Sequence, residues 1–273
     1  MQNTKSNSPK VTLLISTYNW AEALELQLMS LTRQSTVPDE IRIADDGSDE
    51  RTKEVIDRLK KKISCPVIHQ WHPDTGYHKT IAANKAVYAA EGDYIIQIDH
   101  DVILHKHFIK DHLNWARPNF FVCGRRAKLS KEVTNKLLKR KKVKFNPFYV
   151  LRGAEGAHNL IRFLPLRNYF DKTDSNPWNI LGCNLAYWKK DFLAVNGYHN
   201  DIAGWGHDDT ELMSRMVNTG IKKRELKFAA VQYHLHHKQS DKGLQSKHYK
   251  MIKRNIQDKI VWCENGIKEA LRP

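Results

Sequence analysis

Short β-prone segments alternate with helical segments through the first hundred residues, and this alternation limits the possible folds more than any other feature. The predicted strands are Val11–Ser16, Ile41–Ala44, Pro66–Gln70 and Tyr94–Ile98. The predicted helices between them are Ala21–Thr32, Glu50–Lys61 and Ala82–Ala90. Such alternation is typical of βαβ units. We therefore predict an α/β fold with a Rossmann-like, mostly parallel sheet flanked by helices.

Polar side chains follow three of these strands where each strand ends: Ser16-Thr17, Asp45-Asp46, and Asp99 with Asp101. An isolated Asp-x-Asp is more often a polar turn, since Asp is a common turn residue. Three such ends on one sheet edge favour a polar ligand site, because ligands of open α/β sheets bind outside the carboxyl ends of strands. The chain has no Gly-x-Gly-x-x-Gly and no P-loop motif, which argues against a dinucleotide cofactor.

The chain is strongly basic, with 45 Lys and Arg against 30 Asp and Glu and a formal net charge of +15. The surplus is concentrated in Arg125–Lys144, in Lys222–Arg224 and in the C-terminal tail. Such a surplus attracts polyanions such as nucleic acid, anionic lipid or phosphorylated ligands. A nucleic-acid-binding protein is the weaker alternative, because Arg125–Lys144 has no interleaved aromatic residues.

No apolar run of about eighteen residues occurs, and Met1–Lys10 is polar, so we predict neither a membrane span nor a secretory signal. Cys65, Cys123, Cys183 and Cys263 form no paired spacing, which indicates reduced, packing thiols. We expect a cytoplasmic protein that can lie peripherally at the inner face of the membrane.

Several short motifs stand in the order and spacing of family 2 glycosyltransferases. The first half of the chain carries Ile15-Ser-Thr-Tyr-Asn19, Ala44-Asp-Asp-Gly-Ser48, Gly76-Tyr-His-Lys-Thr-Ile-Ala-Ala-Asn84, Gly92-Asp-Tyr94 and Asp99-His-Asp101. The second half carries Gly182-Cys-Asn-Leu-Ala-Tyr187, Gly204-Trp-Gly-His-Asp-Asp-Thr-Glu-Leu212 and His234-Leu-His-His237. Together they resemble an A-type nucleotide-sugar-binding fold whose acceptor half is similar to galactosyltransferases and chondroitin polymerases.

This resemblance implies how a UDP-sugar donor is bound. The family loop matching Thr17, Tyr18 and Asn19 and the acids matching Asp45 and Asp46 hold the nucleoside, because a carboxylate can accept from the uracil imide. Lys79 is expected to contact the diphosphate as a point charge, with a surface lysine as the alternative. Asn84 and Asp99 complete the expected nucleotide-sugar site, and Asp99 is expected on the ribose or on a metal.

The resemblance also implies a divalent metal. Asp101 is the expected ligand, with Asp99 as a further candidate, and the His of the family motif corresponds to His234 or His237. Oxygen ligands suit Mg²⁺ or Mn²⁺, and an added imidazole favours Mn²⁺. Packing of a histidine within a strand at 231–237 is the alternative.

Asp208 and Asp209 form a second acidic pair before the helical pattern Leu212–Val217. Acids favour helix N-termini, so capping is one interpretation. The resemblance makes Asp209 the general base, while Asp208 stands where relatives carry Glu and is expected to orient acceptor hydroxyls. Trp205, Gly206 and Asn184 are the expected acceptor-binding residues. Trp178 and Trp188 are further candidates for stacking on a sugar, with packing in the core as the alternative.

We predict a single domain with a disordered N-terminus at 1–10, a nucleotide-sugar-binding half at 11–104, an acceptor-binding half at 105–240 and a helical tail at 241–273. Ser130–Lys142 is predicted as a basic helix. This helix and the basic, amphipathic tail are compatible with an anionic membrane surface. The expected reaction is metal-dependent, inverting transfer of a hexose or N-acetylhexosamine to a glycan or lipid-linked acceptor. A nucleotidyltransferase forming nucleotide-sugars is the alternative enzyme.

Overall fold

The computed structural model describes residues 8–144, 154–167, 172–204, 206–238 and 243–272. Its first hundred residues alternate between strand and helix as predicted, and the element boundaries differ from the prediction by at most three residues. The elements are β1 Val11–Thr17, α1 Ala21–Leu31, β2 Glu40–Asp45, α2 Glu50–Lys60, β3 Val67–Trp71, α3 Lys79–Ala89 and β4 Tyr94–Asp99.

The rest of the chain consists of shorter elements. They are β5 Val102–Leu104, α4 Phe108–Trp115, β6 Phe120–Cys123, β7 Ala127–Leu129, α5 Lys131–Arg140, β8 Ala154–Glu155, α6 Leu164–Arg167, β9 Thr173–Asp174, β10 Leu185–Trp188, α7 Lys189–Ala194, α8 Asp208–Asn218, β11 Lys222–Glu225, β12 Gln232–His234, α9 Gln245–Gln257 and α10 Ile267–Ala270. Short 3₁₀ turns lie at Ala157–Leu160 and Gly182–Asn184.

The central sheet has the strand order β3-β2-β1-β4-β10-β6-β11-β9. Its first four strands are mutually parallel, and β10 runs antiparallel to both β4 and β6. The register pairs Ser16 with both Ala44 and Asp99, and Thr17 with Asp45. The polar residues that end β1, β2 and β4 are therefore at the same level of one sheet edge.

A second, four-stranded sheet has the order β5-β12-β7-β8, which the sequence did not lead us to expect. In it β12 pairs antiparallel with β5, and His234 lies opposite Val102. This pairing brings the histidine segment at 234–237 next to Asp101, which directly precedes β5. The small sheet is therefore the element that joins two sequence-distant parts of the site.

Both faces of the central sheet are covered, as the near-continuous apolar strands require. On one face Leu13 and Ile15 belong to a core that includes apolar residues of α1 and α2. On the other face Leu14 packs in a core that includes residues of α3 and α8. Burying each such side chain contributes about 1.5–3 kcal/mol. The second core fixes the positions of α3 and α8, which carry Lys79 and the acidic pair.

The predicted basic helix is α5, and its N-cap Ser130 accepts a hydrogen bond from the Val133 backbone N–H. The predicted helical tail contains two helices, α9 and α10, separated by residues 258–266. Of the N-terminus expected to be disordered, residues 1–7 lie outside the described part. The four cysteines are free, and three of them are buried. No helix formed by the described residues combines the length and apolar character needed to cross a bilayer.

Candidate active site

A cavity of about 1070 Å³ opens at the sheet edge where β1, β2 and β4 end, and it extends to the segment after β12. Polar and charged side chains from both halves of the chain line it. Among the residues predicted from sequence, those lining the cavity are Thr17, Tyr18, Asp46, Lys79, Asp99, Asp101, His234 and His237.

One end of the cavity is built around Asp46. Its carboxylate accepts the His78 backbone N–H at 2.9 and 3.1 Å, and His72 Nε2 lies 3.2 Å from Oδ1. Burial raises the pKa of Asp46. Tyr18 is 47% exposed beside it and donates to Asp74 at 2.9 Å. An aromatic ring and a partly desolvated carboxylate at one end of a cleft can together receive a nucleobase.

Two residues expected at this end do not line the cavity. Asp45 is fully buried, with Oδ1 accepting from the Ser48 backbone N–H and Oδ2 2.7 Å from His69 Nε2. Asn19 Oδ1 accepts the Asp49 backbone N–H. Both side chains therefore hold the loops around Asp46.

Two predicted asparagines are also buried outside the cavity. Asn84 forms two hydrogen bonds with the backbone of Tyr198, each 2.8 Å long. The Asn184 amide donates to the carbonyls of Arg125 and Ala230, and its Oδ1 lies 2.9 Å from His112 Nε2. In this structure the expected acceptor-binding Asn184 thus connects core segments.

The most distinctive group in the cavity is Asp101 with His234 and His237. One ligand atom from each residue can be chosen so that all three lie within 4.8 Å of one another. Asp101 Oδ2 lies 3.4 Å from His234 Nε2 and 3.2 Å from His237 Nε2. Asp99 is not part of this group of described residues, because its carboxylate faces Lys79 instead.

The three side chains fit a divalent cation. Each Nδ1 lies 2.8 Å from a backbone carbonyl, that of Leu235 for His234 and that of Lys238 for His237. A carbonyl can only accept, so both Nδ1 atoms carry hydrogen and both Nε2 lone pairs are available in neutral imidazoles. Asp101 Oδ1 is buried and has no hydrogen-bond partner in the described structure. Burial lowers the pKa of His234, which keeps the neutral, ligating form.

Lys79 connects the two acidic motifs. Its Nζ lies 3.2 Å from Asp99 Oδ1 and 3.5 Å from Asp208 Oδ2. Burial alone would lower the pKa of Lys79, but Asp99 and Asp208 outweigh burial and raise it. Lys79 is therefore a charged ammonium group placed between the end of β4 and the start of α8.

Asp209 occupies the second position of α8 and lies in a different environment from Asp208. Its Oδ1 accepts hydrogen bonds from Gln97 Nε2 at 3.0 Å and from the Tyr198 hydroxyl at 2.7 Å. Burial and the adjacent Asp208 raise the pKa of Asp209 to about 7. A carboxylate with a pKa near neutrality is suited to general-base catalysis.

Gly182 makes room for the Asp209 carboxylate. A Cβ atom at position 182 would lie 1.9 Å from Asp209 Oδ2. Any side chain there would therefore displace the carboxylate, so the glycine of the Gly182–Tyr187 motif has a steric function.

A partly exposed aromatic group lies beside the start of α8. The ring centroid of Trp178 lies 5.1 Å from that of Tyr249 and 6.3 Å from that of His207. Tyr249 belongs to α9 and is 41% exposed. Gly206 receives a hydrogen bond from His248 Nδ1 at its carbonyl, which ties α9 to this loop. The expectation for Trp205 lies outside the described residues.

Comparison with known proteins identifies the family. The profile described as glycosyl transferase family 2 matches residues 12–184. The chain belongs to glycosyl transferase family 2. A second profile, the N-terminal domain of galactosyltransferase, matches residues 167–238 of this glycosyltransferase. The predicted resemblance, with its galactosyltransferase-like acceptor half, is thereby confirmed.

The full-length relatives of this glycosyltransferase share low sequence identity with it. Chondroitin synthase of Escherichia coli is 24% identical over 238 residues, which cover 82% of this chain and 34% of the relative. Validoxylamine A glucosyltransferase of Streptomyces hygroscopicus subsp. limoneus is 26% identical over 233 residues, covering 81% of this chain and 51% of the relative. The chain thus spans between a third and a half of their length.

Solved structures confirm the expected A-type glycosyltransferase fold. Mannosyltransferase PcManGT from Pyrobaculum calidifontis, in complex with GDP-Man and Mn²⁺, superposes with a TM-score of 0.61 at 17% identity, covering 97% of this chain and 73% of that one. S. aureus TarS in complex with UDP gives 0.60 at 14% identity, covering 96% and 68%.

Proposed function

We propose that this glycosyltransferase transfers a hexose or N-acetylhexosamine from a UDP-sugar to a glycan or lipid-linked acceptor, with metal dependence and inversion. The proposal rests on one observation: a cluster of candidate metal ligands and a pair of acids lie in the same site, connected through Lys79. The cation-binding group of Asp101, His234 and His237 lies in the cavity, and Lys79 connects Asp99 of that cavity to Asp208, next to Asp209.

For the donor, the aromatic and acidic end of the cavity takes the nucleoside. Tyr18 offers a ring face, and Asp46 offers a partly desolvated carboxylate that can accept the uracil imide N–H. Thr17 and Asp99 also line this cavity, and Asp99 would bind the ribose. The complex of TarS with UDP supports a uridine donor, whereas the complex of PcManGT with GDP-Man makes the base a point for experiment.

Asp101, His234 and His237 would hold Mn²⁺, or Mg²⁺, by one carboxylate oxygen and two Nε2 atoms. A cation bound there supplies Lewis-acid stabilisation of the negative charge on the leaving diphosphate. Lys79 and Arg126 also border this region and add positive charge near the diphosphate. The presence of Mn²⁺ in the PcManGT complex supports this choice of ion.

For the acceptor, Asp209 is the general base. It takes the proton of the acceptor hydroxyl while the oxygen attacks the anomeric carbon on the side opposite the diphosphate, which inverts the configuration. Asp208 would orient the acceptor hydroxyls. Among the described residues near the acids, no side chain stands out as a nucleophile for a double displacement. Trp178, His207 and Tyr249 offer an aromatic surface for a sugar ring.

The charge of the chain and the relatives both support the proposed acceptor class. Chondroitin synthase makes a glycan, which supports polysaccharide synthesis as the process. The exposed cations of α5 and of α9 suit attraction to an anionic membrane surface carrying a lipid-linked acceptor.

The test is a panel of UDP-, GDP- and TDP-sugars assayed for sugar transfer and for nucleotide release, with Mn²⁺ and with chelator. We expect metal-dependent UDP release from a UDP-hexose or UDP-N-acetylhexosamine. Activity with a GDP-sugar alone would overturn the uridine assignment. Pyrophosphate release from UTP and a sugar phosphate would instead support the nucleotidyltransferase alternative.

A further inference from the structure

Asp209 is held by side chains from two distant parts of the chain. Gln97 lies on β4, two residues before Asp99, and Tyr198 lies in the loop between α7 and α8. Both side chains are buried, at 1% and 2% exposure. Each donates to the same oxygen, Asp209 Oδ1. Gln97 Nε2 makes a second contact, 3.4 Å from the Gly182 carbonyl.

The Tyr198 hydroxyl lies between two acceptors, 2.7 Å from Asp209 Oδ1 and 2.9 Å from Gln97 Oε1. It has one proton, and a charged carboxylate is the stronger acceptor. Tyr187, whose hydroxyl lies 3.0 Å from the same Gln97 Oε1, can satisfy that amide oxygen. The Gln97 amide is thereby oriented with its NH₂ group toward Asp209.

The position of Tyr198 is fixed from α3. Asn84 accepts the Tyr198 backbone N–H and donates to the Tyr198 carbonyl. These hydrogen bonds explain why Asn84, a polar residue on α3, is fully buried. The residue expected to bind the nucleotide-sugar therefore acts on Asp209 through Tyr198.

We infer that Tyr198 and Gln97 are positioning residues for Asp209, fixing Oδ1 by two hydrogen bonds so that Oδ2 is left to take the proton of the acceptor hydroxyl. This rests on the proposed role of Asp209 as the base. Within the described residues Oδ2 has no hydrogen-bond donor, and it lies against the backbone of Gly182. Fixing one oxygen removes the rotational freedom of the carboxylate, and orienting the base is a recognised part of catalysis.

Tyr198→Phe and Tyr94→Phe form a matched pair. Both remove one buried tyrosine hydroxyl, but the Tyr198 hydroxyl donates to Asp209, whereas the Tyr94 hydroxyl has no hydrogen-bond partner among the described residues. Both variants leave unchanged the other charged or titratable groups that face Asp209 in the described part of the chain, which are Asp208, Lys79, Asp99, Tyr77 and Tyr187.

The measurement is kcat and KM as a function of pH with the donor identified in the panel. The Tyr198 hydrogen bond lowers the pKa of Asp209, so its loss should move the acidic limb of the profile to higher pH. We expect Tyr198→Phe to lower kcat roughly tenfold to a hundredfold near neutral pH, the effect of removing one hydrogen bond to a charged group. Donor KM should stay unchanged, and Tyr94→Phe should keep the parental limb.

A titration independent of catalysis accompanies this. Protein labelled with ¹³C at aspartate carboxyls reports the protonation of Asp209, with its signal identified by its absence in Asp209→Asn. Asp209 should titrate at higher pH in Tyr198→Phe than in the parent, and Tyr94→Phe should match the parent. Identical titrations and identical pH limbs for the two variants would overturn the inference. Full transfer by Asp209→Asn would instead reject Asp209 as the base, while the titration still reports the hydrogen bond.

Discussion

Lys79 Nζ lies 3.5 Å from Asp208 Oδ2 and 3.2 Å from Asp99 Oδ1. One ammonium group thus connects the start of α8 with the end of β4. The pairing compensates the negative charge of Asp99, Asp208 and Asp209, which would otherwise repel one another and a diphosphate. It also affects the base, because the charge of Lys79 opposes the rise in the pKa of Asp209 caused by burial and by Asp208.

Lys79→Met should therefore shift the pH dependence of transfer. A general base works deprotonated, and a pKa raised to about 7 means that kcat/KM rises with pH through that value. Removing the Lys79 charge raises the pKa further, so the variant should lose more activity at pH 6 than at pH 9. Lys79→Arg keeps the charge and is the control. Profiles of equal shape for Lys79→Met and the parent would contradict this electrostatic role.

His234→Ala and His237→Ala should each weaken metal-dependent UDP binding by about tenfold or more, since even the partners of metal ligands contribute 10–100-fold to metal affinity. His236→Ala is the matched control, because His236 lies between them and borders the same cavity but is not part of the cation-binding group. Calorimetry with UDP, with and without Mn²⁺, measures the effect. Equal UDP affinity in the presence of metal and of chelator would show that UDP binding does not depend on a metal.

Tyr249→Ala should raise the acceptor KM by roughly 3- to 10-fold, because an aromatic contact contributes about 0.5–1.5 kcal/mol beyond its buried area. The donor KM should not change, since Tyr249 does not line the cavity. Tyr88→Ala is the control, an exposed tyrosine on α3 at 53% exposure. Tyr249 lies beyond both matched profile regions, so family motifs could not have indicated it. An unchanged acceptor KM would show that Tyr249 does not contact the acceptor and only contributes to the packing of α9.

Reversing two charges on α5, Lys139→Glu with Arg140→Glu, should reduce co-sedimentation with anionic liposomes. Each basic residue near such a surface contributes about 1 kcal/mol, and salt screens the attraction over about 8 Å at physiological ionic strength. Lys53→Glu with Lys60→Glu on α2 makes the same change in net charge elsewhere. Equal loss in both double variants would indicate a general effect of charge, and no binding by the parent at low salt would reject the membrane surface.

The fold and the edge of the sheet that carries the site could be predicted because both depend on local patterns. Apolar strands alternating with helices give the parallel sheet, and the acids that follow β2 and β4 mark its binding edge. The convergence of Asp46, Asp99 and Asp101 on one cavity follows from that geometry.

What could not be predicted depends on long-range pairing. Gln97 and Asp209 are 112 positions apart, and nothing in either sequence neighbourhood indicates their hydrogen bond. Asp45, Asn84 and Asn184 belong to motifs of the site but are buried against backbone groups, because a polar residue that supports a loop has the same sequence pattern as one that contacts a ligand. The small sheet that brings His234 to Asp101 is likewise built from strands of two or three residues without a periodic signal.

Sugar transfer by Asp209→Asn tests most directly whether Asp209 is the general base. Asparagine has nearly the same shape as aspartate and keeps an oxygen for Gln97 and Tyr198, but it cannot take a proton at neutral pH. We predict a folded variant with unchanged metal-dependent UDP binding and transfer lowered by about 10²–10⁴-fold. Transfer near the parental rate in the folded, UDP-binding variant would contradict Asp209 as the general base and leave Asp208 as the remaining acid of the pair.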